Sequence, residues 1–261
     1  MAAVHRLNRL PDKDSSENMQ ESAAVILVDV PGKVQESGGN DNLDDSPSGK
    51  PPLWMPLAGR ITLARTIDVF ESSPLIENII LVLDPRHVAD ADMLRQREGW
   101  HKITAIVAGD ASRQASVCRG LDVLEEMAPG SRWVIIHDAA RPLVPSTLLV
   151  ASLQAVQEHQ AATAAVPVRE TIKQVQQGQI TATFDRSQLW TIQTPQAFSY
   201  PLLHQAHRQA RAQHLQDSID DAALLEQMGQ RVVIFPGSYT NIKIITAEDL
   251  LLAEALLQGS V

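Results

Sequence analysis

The chain has 261 residues, of which 44% are hydrophobic and only 4% aromatic, so it is long enough for one α/β domain with a largely aliphatic core. Its formal charge of −9 argues against non-specific binding to nucleic acids, because that binding needs a basic surface. A single cysteine, Cys118, excludes an internal disulfide and a cysteine-based zinc site, and its surroundings predict a thiol packed on a helix.

Hydropathy gives an expectation about location. No apolar run approaches the roughly 20 residues that a membrane-spanning helix needs, and no apolar signal core follows the first arginines. We therefore expect a cytoplasmic protein with no membrane association and no nucleic-acid partner.

Helix and strand patterns alternate along most of the chain. Residues 1–21 are polar and charged, which predicts a disordered arm, and residues 22–261 are expected to form one domain. The alternation predicts an α/β fold with a doubly wound, mostly parallel sheet. The predicted elements are a strand at 23–28, a helix at 61–70, a strand at 78–83, a helix at 88–97, a strand at 103–107, a helix at 111–127, a strand at 133–137, a helix at 145–157 and a strand at 161–168, then helices at 201–213 and 220–228, strands at 231–235 and 242–245, and a helix at 247–257.

A hairpin interrupts this pattern. Two alternating segments, 171–175 and 180–184, flank a turn that contains Gly178, so residues 169–186 are expected to form a protruding β-hairpin arm. Because a two-stranded arm is only marginally stable alone, it should pack on a second subunit and form a homodimer.

The most informative short segment is His137-Asp138-Ala139-Ala140-Arg141-Pro142. It follows a short apolar run, Trp133–Ile136, that is typical of a buried strand. Open α/β sheets bind ligands at the carboxyl ends of their strands. There, Asp138 could hold a metal ion and Arg141 could reach a phosphate with its planar guanidinium. The alternative is an ordinary surface ion pair.

Further motifs occur in the order and spacing of one known family. They are GDASRQASVCRGL at 109–121, the HDAARP segment, PVRETIK at 167–173, Asp185-Arg186 through Leu189-Trp190, QTPQAF at 193–198, Asp220-Asp221-Ala222, Asn241-Ile242-Lys243 and Glu248-Asp249-Leu250. With them, residues from about 100 to 257 resemble the 2-C-methyl-D-erythritol 4-phosphate cytidylyltransferases, which are nucleotidyltransferases of isoprenoid precursor synthesis in the non-mevalonate pathway. The resemblance implies a nucleotide-diphospho-sugar transferase type of fold, CTP and a sugar-alcohol phosphate as substrates, and Mg²⁺ as cofactor.

The resemblance also implies roles for individual residues. It implies that Asp138 binds Mg²⁺ and substrate and that Arg141 and Thr194 contact substrate. It implies that Thr171 and Arg186 contact the sugar phosphate in the neighbouring subunit's site, and that Lys243 contacts the sugar phosphate and the α-phosphate. The turn of Gly109, Arg113 and Ser116 is implied to bind cytosine and ribose. Arg186 and Lys243 are in addition candidate catalytic residues. Lys243 is expected to lie in a strand. The alternatives are turn formation for Asp138 and Thr194, strand propensity for Thr171, and surface charge for Arg113, Arg141 and Arg186.

The segment after the first strand departs from the family pattern. The family has a glycine-rich loop that ends in an Arg, and a later Lys, and these groups surround the triphosphate. Here Gly32 is the glycine that remains, which leaves it as a candidate nucleotide-binding residue, and Val34 and Pro52 stand at the Arg and Lys positions. The neighbouring cations Lys33 and Lys50 are therefore the candidate catalytic residues of this loop.

The departure leaves alternatives open. From residue 29 to residue 50 the loop carries five acidic and two basic residues, which disfavours a triphosphate. Losing one preorganised donor typically lowers kcat by about 10²- to 10³-fold. The chain could thus be the enzyme, a catalytically impaired paralogue that serves as a binding or regulatory subunit, or a transferase for another nucleotide or sugar phosphate.

Overall fold

The structure is a computed structural model that describes residues 22–27, 51–215 and 218–259. The predicted arm of residues 1–21 lies outside the described residues. So do Gly32, Lys33 and Lys50.

One mixed seven-stranded sheet organises the fold. The described strands are β1 (Ser22–Leu27), β2 (Pro56–Leu57), β3 (Arg60–Ile61), β4 (Asn78–Leu83), β5 (Ile103–Ala108), β6 (Trp133–Asp138), β7 (Ala161–Pro167), β8 (Lys173–Gln176), β9 (Gln179–Thr183), β10 (Trp190–Ser199) and β11 (Val233–Pro236). The large sheet has the order β11-β7-β10-β6-β1-β4-β5. Strand β10 runs antiparallel to β6 and β7, and the other neighbours pair in parallel.

Helices cover both faces of this sheet. They are α1 (Thr62–Ser72), α2 (Val88–Glu98), α3 (Arg113–Met127), α4 (Ser146–His159), α5 (Tyr200–Ala212), α6 (Asp221–Gln227) and α7 (Ala247–Gln258). Successive strand side chains point to opposite faces. Accordingly, Ile135 packs in the cluster that includes residues of α1, α2 and α4, whereas Val134 and Ile136 pack in the cluster that includes residues of α3, α5 and α6. The predicted doubly wound α/β fold is confirmed.

Apart from the two-residue strands β2 and β3, which are not predicted, two segments differ from the sequence prediction. The ten-residue strand β10 was not predicted, because its buried segment 193–198 contains Gln193, Thr194, Pro195 and Gln196, which do not form a continuous apolar run. The predicted strand at 242–245 is wrong: this segment is not a strand. Its Ile244 N–H donates to the carbonyl of Ala140, so the segment bonds to a loop instead of a sheet neighbour.

The predicted hairpin arm is present. Strands β8 and β9 pair with each other, and Gln177 and Gly178 between them both have positive φ, as a tight hairpin turn requires. Every residue of β8 is exposed.

Two further expectations can be compared with the described residues. Cys118 is a buried free thiol in α3, as predicted. In the described part of the chain, no helix combines the length and apolarity needed to cross a bilayer.

Candidate active site

Three cations converge on Asp138, the last residue of β6. The carboxylate lies 3.0 Å from Lys243 Nζ, 3.7 Å from Arg141 Nε and 4.0 Å from Arg113 Nε. Only 13% of the Asp138 side chain is exposed, against 42% for Lys243. The four side chains come from the end of β6, the first residue of α3 and two loops, and the fold brings them to the carboxyl edge of the sheet, where ligands bind in this class of fold.

Burial and charge act in opposite directions on these groups. Burial raises the pKa of Asp138, but the charges of Lys243, Arg113 and Arg141 outweigh it and hold this pKa well below its usual range. Burial is the largest effect on Arg141 and lowers its pKa, although Asp138 offsets part of the change. The Asp138 carboxylate is therefore charged at neutral pH, and it compensates the cations around it.

A relay of hydrogen bonds positions the loop that carries Asp138 and Arg141. The backbone N–H of Asp138 donates to Thr194 Oγ1 at 3.0 Å, and this hydroxyl lies 3.1 Å from His137 Nδ1. His137 Nε2 lies 3.3 Å from the carbonyl oxygen of Arg141. Each contact has one donor and one acceptor if the Thr194 hydroxyl donates to His137 Nδ1 and the Nε2–H of His137 donates to the carbonyl of Arg141. Thr194 thus acts on the site through Asp138.

The loop before Lys243 is held from beneath by buried amides. Asn241 Nδ2 donates to the carbonyl of Thr194 at 2.8 Å, and Arg141 Nη1 donates to the carbonyl of Asn241 at 2.8 Å. Gln193 bonds to both backbone groups of Ser238. These bonds join the buried part of β10 to the loop that presents Lys243.

The predicted nucleotide turn precedes α3. Gly109 N–H donates to the carbonyl of Leu83 at 2.5 Å. Ser116 is fully buried, and its hydroxyl accepts from the N–H of Asp110 and donates to the carbonyl of Ser112. Ser116 therefore shapes the turn from within.

Arg113 does not lie free on the helix surface. Its guanidinium Nη1 is 2.8 Å from Asp221 Oδ2, while its Nε faces Asp138. Burial lowers the pKa of Arg113, but Asp221 and Asp138 outweigh it and raise this pKa. Only 23% of the Arg113 side chain and 12% of the Arg141 side chain are exposed, so the alternative of a surface charge does not hold for either residue.

The two candidate residues of the arm are on its surface. Thr171 and Arg186 are both exposed. The guanidinium of Arg186 donates to the carbonyl of Arg169 at 2.9 Å.

The donor set is compatible with a magnesium ion that substrates help to bind. Among the described residues there is no group of three or more His, Cys, Asp or Glu side chains that could hold a metal ion. Asp138 supplies one carboxylate, however, and Mg²⁺ typically binds through one or two carboxylates together with substrate phosphates and water.

Sequence reasoning missed several residues of the site. His137, Asp221 and Asn241 occur in the motifs but have no role predicted from the sequence, and His207 lies outside the motifs. Asp221 follows Asp220, whose carboxylate caps α6 by accepting from the N–H of Ala223. The doubled aspartate was a visible signal, but the partners of Asp221 lie too far along the chain to be paired from one sequence.

Comparison with known proteins identifies the class. The solved 4-diphosphocytidyl-2C-methyl-D-erythritol synthase from Anaerococcus prevotii superposes with a TM-score of 0.75 at 27% identity, over 92% of this chain and 99% of that one. The 2-C-methyl-D-erythritol 4-phosphate cytidylyltransferase of Thermus thermophilus gives a TM-score of 0.65 at 28% identity, over 89% of this chain and 98% of the other. The fold is that of a nucleotidyltransferase.

The sequence comparisons narrow this class to one family. The family model of 2-C-methyl-D-erythritol 4-phosphate cytidylyltransferase matches residues 45–259. The enzyme of that name from Syntrophotalea carbinolica is 44% identical over 239 residues, which are 90% of this chain and 96% of the relative. That from Geobacter metallireducens is 41% identical over 206 residues, 78% of this chain and 88% of the relative. The chain belongs to the 2-C-methyl-D-erythritol 4-phosphate cytidylyltransferase family.

Family membership confirms the resemblance and the class of enzyme. The matching relatives carry the name of a cytidylyltransferase, so the comparisons favour an enzyme and give no support to an impaired regulatory paralogue. The family match begins at residue 45 and so excludes most of the segment that departs from the family pattern.

The relay through His137 predicts a pH dependence of stability. Burial lowers the pKa of His137 to about 4, from an ordinary value of 6.5. As the pH falls from about 6.5 towards about 4, His137 takes up a proton in the unfolded chain before it does so in the folded chain. The free energy of unfolding therefore has its full value above this pH range and decreases within it. The free energy of unfolding should decrease between about pH 7 and about pH 4. We expect this decrease to be about 3 kcal/mol smaller in His137→Gln than in the wild type.

Urea unfolding at the two pH values measures this difference. The wild-type chain should lose more stability on acidification than the variant, because other titrating groups are common to both. An identical pH dependence in the two proteins would show that His137 does not carry the effect.

Proposed function

We propose that this chain joins CTP to 2-C-methyl-D-erythritol 4-phosphate. A phosphate oxygen of the sugar phosphate attacks the α-phosphorus of CTP, the bond to the β-phosphate breaks, and pyrophosphate leaves with the electron pair. The products are the CDP-sugar alcohol and pyrophosphate. The observation that carries this proposal is the convergence of Lys243, Arg141 and Arg113 on Asp138.

The chemistry depends on positioning and on cations. Negative charge gathers around the α-phosphorus in the transition state, and preorganised cations stabilise such charge without reorganisation. Lys243 is the most exposed cation of the cluster, and we assign it to the sugar phosphate and the α-phosphate. Arg141 Nε faces the Asp138 carboxylate at 3.7 Å and its Nη1 donates to the carbonyl of Asn241, so the guanidinium is held in a fixed place beside Asp138. Thr194 lines this part of the site and keeps Asp138 in place.

We assign the nucleotide to the turn before α3. The N–H of Gly109 ties the start of this turn to Leu83 at the end of β4, and the buried hydroxyl of Ser116 fixes the shape of the turn. Arg113 is the first residue of the helix that follows. Backbone N–H groups at a helix amino end suit an anion or the edge of a base.

Mg²⁺ is the cofactor that we propose, with Asp138 as its ligand in the protein. When bound, this ion would neutralise charge on the phosphates of CTP. The support is the carboxylate of Asp138, which lies at the carboxyl edge of the sheet and has a pKa well below its usual range.

Lys33 and Lys50 are proposed to supply cations to the triphosphate, with Gly32 allowing a close approach of the backbone. Support comes from the two ends of their segment. Leu27, the last residue of β1, pairs with Asp138, and an extended chain spans up to about 20 Å over the next six residues to Lys33. At the other end, Leu57 and Met55 pack with residues of the loops that carry Arg141 and Lys243.

The arm is proposed to complete the site of a second subunit in a homodimer. Its exposed apolar side chains need a cover: Val175 is 57% exposed, Ile180 64% and Phe184 46%. Strand β7, from which the arm departs, ends at the same edge of the sheet as Asp138. Thr171 and Arg186 would then contact the sugar phosphate bound by the neighbouring subunit.

We propose the cytoplasm as the location, in keeping with the single reduced cysteine.

A pyrophosphate-release assay tests the reaction. With CTP, 2-C-methyl-D-erythritol 4-phosphate and Mg²⁺, pyrophosphate should appear, and it should require both substrates. EDTA should abolish the release, and excess Mg²⁺ should restore it. Release with ATP, GTP or UTP at the rate seen with CTP would contradict the nucleotide assignment, and undiminished release in EDTA would contradict the cofactor.

Mixed dimers test the role of the arm. Arg186→Ala and Asp138→Asn should each be nearly inactive alone. If each site takes Asp138 from one protomer and Arg186 from the other, a statistical mixture should regain up to about a quarter of wild-type activity, because half of the dimers have one intact site. Each variant unfolded and refolded alone is the control.

A mixture that stays as inactive as its components has two explanations. Either Arg186 acts within its own chain, which contradicts a shared site, or the variants do not exchange subunits. Size-exclusion chromatography of a tagged and an untagged protomer distinguishes these two explanations.

A further inference from the structure

A buried chain of side chains leads from helix α5 to the candidate active site. His207 Nε2 donates to Asp221 Oδ1 at 2.9 Å, and Asp221 Oδ2 is 2.8 Å from Arg113 Nη1. Arg113 Nε in turn faces Asp138 Oδ1 at 4.0 Å. His207 and Asp221 are each 1% exposed, so this chain is a feature of the interior.

The pairing of Asp221 has a consequence for Arg113. A buried carboxylate is costly unless it is paired and hydrogen-bonded. Burial raises the pKa of Asp221, but Arg113 and His207 outweigh it and keep this pKa below its usual range. Asp221 is thus a fixed negative charge, and His207 fixes its orientation. The far end of the Arg113 guanidinium is held there, which leaves its Nε directed at Asp138.

We propose that His207 and Asp221 are positioning residues for the transferase reaction. They act through Arg113, which orients the carboxylate of Asp138 and begins the helix that follows the nucleotide turn. This inference rests on the proposed function, because it gives Arg113 and Asp138 their roles towards substrate. It assigns no contact with substrate to His207 or Asp221 themselves.

Helix α5 provides a matched control for this proposal. His204, one turn before His207, makes the same kind of pair: its Nε2 donates to Asp122 Oδ1 at 2.8 Å. That pair continues to Arg211 and, through His204 Nδ1, to the hydroxyl of Tyr200. The Tyr200 N–H bonds to the carbonyl of Arg132, just before β6 begins, at the opposite end of the strand from Asp138. The His204 pair is more exposed than the His207 pair, so His204→Leu controls for the loss of a histidine–aspartate bond of α5 that does not lead to Asp138.

The experiment compares His207→Leu, His207→Gln and His204→Leu in the pyrophosphate-release assay. His207→Leu should lower kcat/KM for CTP by about 10-fold, which is typical of the loss of an outer residue that orients a directly contacting side chain. The KM for the sugar phosphate should stay within about twofold of the wild-type value. His207→Gln retains an N–H donor and should recover most of the loss. His204→Leu should lower thermal stability but change kcat/KM by less than about twofold.

A second background tests whether the effect passes through Arg113. In Arg113→Ala, adding His207→Leu should cause no further change in kcat/KM or in the affinity for CTP measured by calorimetry, because coupled residues are not additive. A full additional 10-fold loss would overturn the proposal. So would equal effects of His207→Leu and His204→Leu.

The wild-type protein separates this proposal from the proposed function. If the wild type turns over but His207→Leu has the same kcat/KM for CTP as the wild type, only the positioning role is overturned. If the wild type has no turnover but binds CTP, the same comparison of variants is made on CTP affinity. A wild type that neither turns over nor binds CTP would overturn both proposals.

Discussion

The site depends on the ionised carboxylate of Asp138, which is nearly buried and surrounded by cations. Lys243, Arg141 and Arg113 come from different segments of the chain, and without a shared anion they would repel one another in a medium of low dielectric. With Asp138 and Asp221 in place, three cations face two carboxylates. Within a chain whose formal charge is −9, three cations can therefore lie close together at the carboxyl edge of the sheet.

Rigid secondary structure keeps this arrangement in register. Asp138 ends a central strand that pairs with β1 and β10, and its backbone N–H is bonded to Thr194 of β10. Buried amides of Gln193 and Asn241 then connect β10 to the loop of Lys243. The polar residues that interrupt the apolar pattern of β10 are the ones that organise the site. Their cost of burial is offset because each has a specific partner.

Much of this fold follows from local sequence patterns. Apolar runs of four to eight residues separated by amphipathic segments gave β4 without error and placed the helices of the doubly wound core within about two residues. The hairpin was predictable because its turn contains glycine between alternating segments. The family itself was predictable from motifs, because their order along the chain is specific even though each is short.

The remaining features depend on contacts between residues that are distant in sequence. Strand β10 is not predicted because Gln193, Thr194, Pro195 and Gln196 are typical of a turn when their partners are unknown. The segment of Lys243 was predicted as a strand because apolar residues flank the lysine, yet its backbone bonds to a loop. The pair of Arg113 with Asp221 joins residues more than a hundred positions apart, and a single sequence contains no signal for it.

The turnover of Asp138→Asn tests the central claim most directly. The substitution retains the size of the side chain but removes the charge that holds the three cations, so kcat with CTP and 2-C-methyl-D-erythritol 4-phosphate should fall by about 100-fold or more. Circular dichroism would confirm that the variant is folded. A folded variant with kcat within about threefold of wild type would contradict the account, because the cations would then be positioned without this carboxylate.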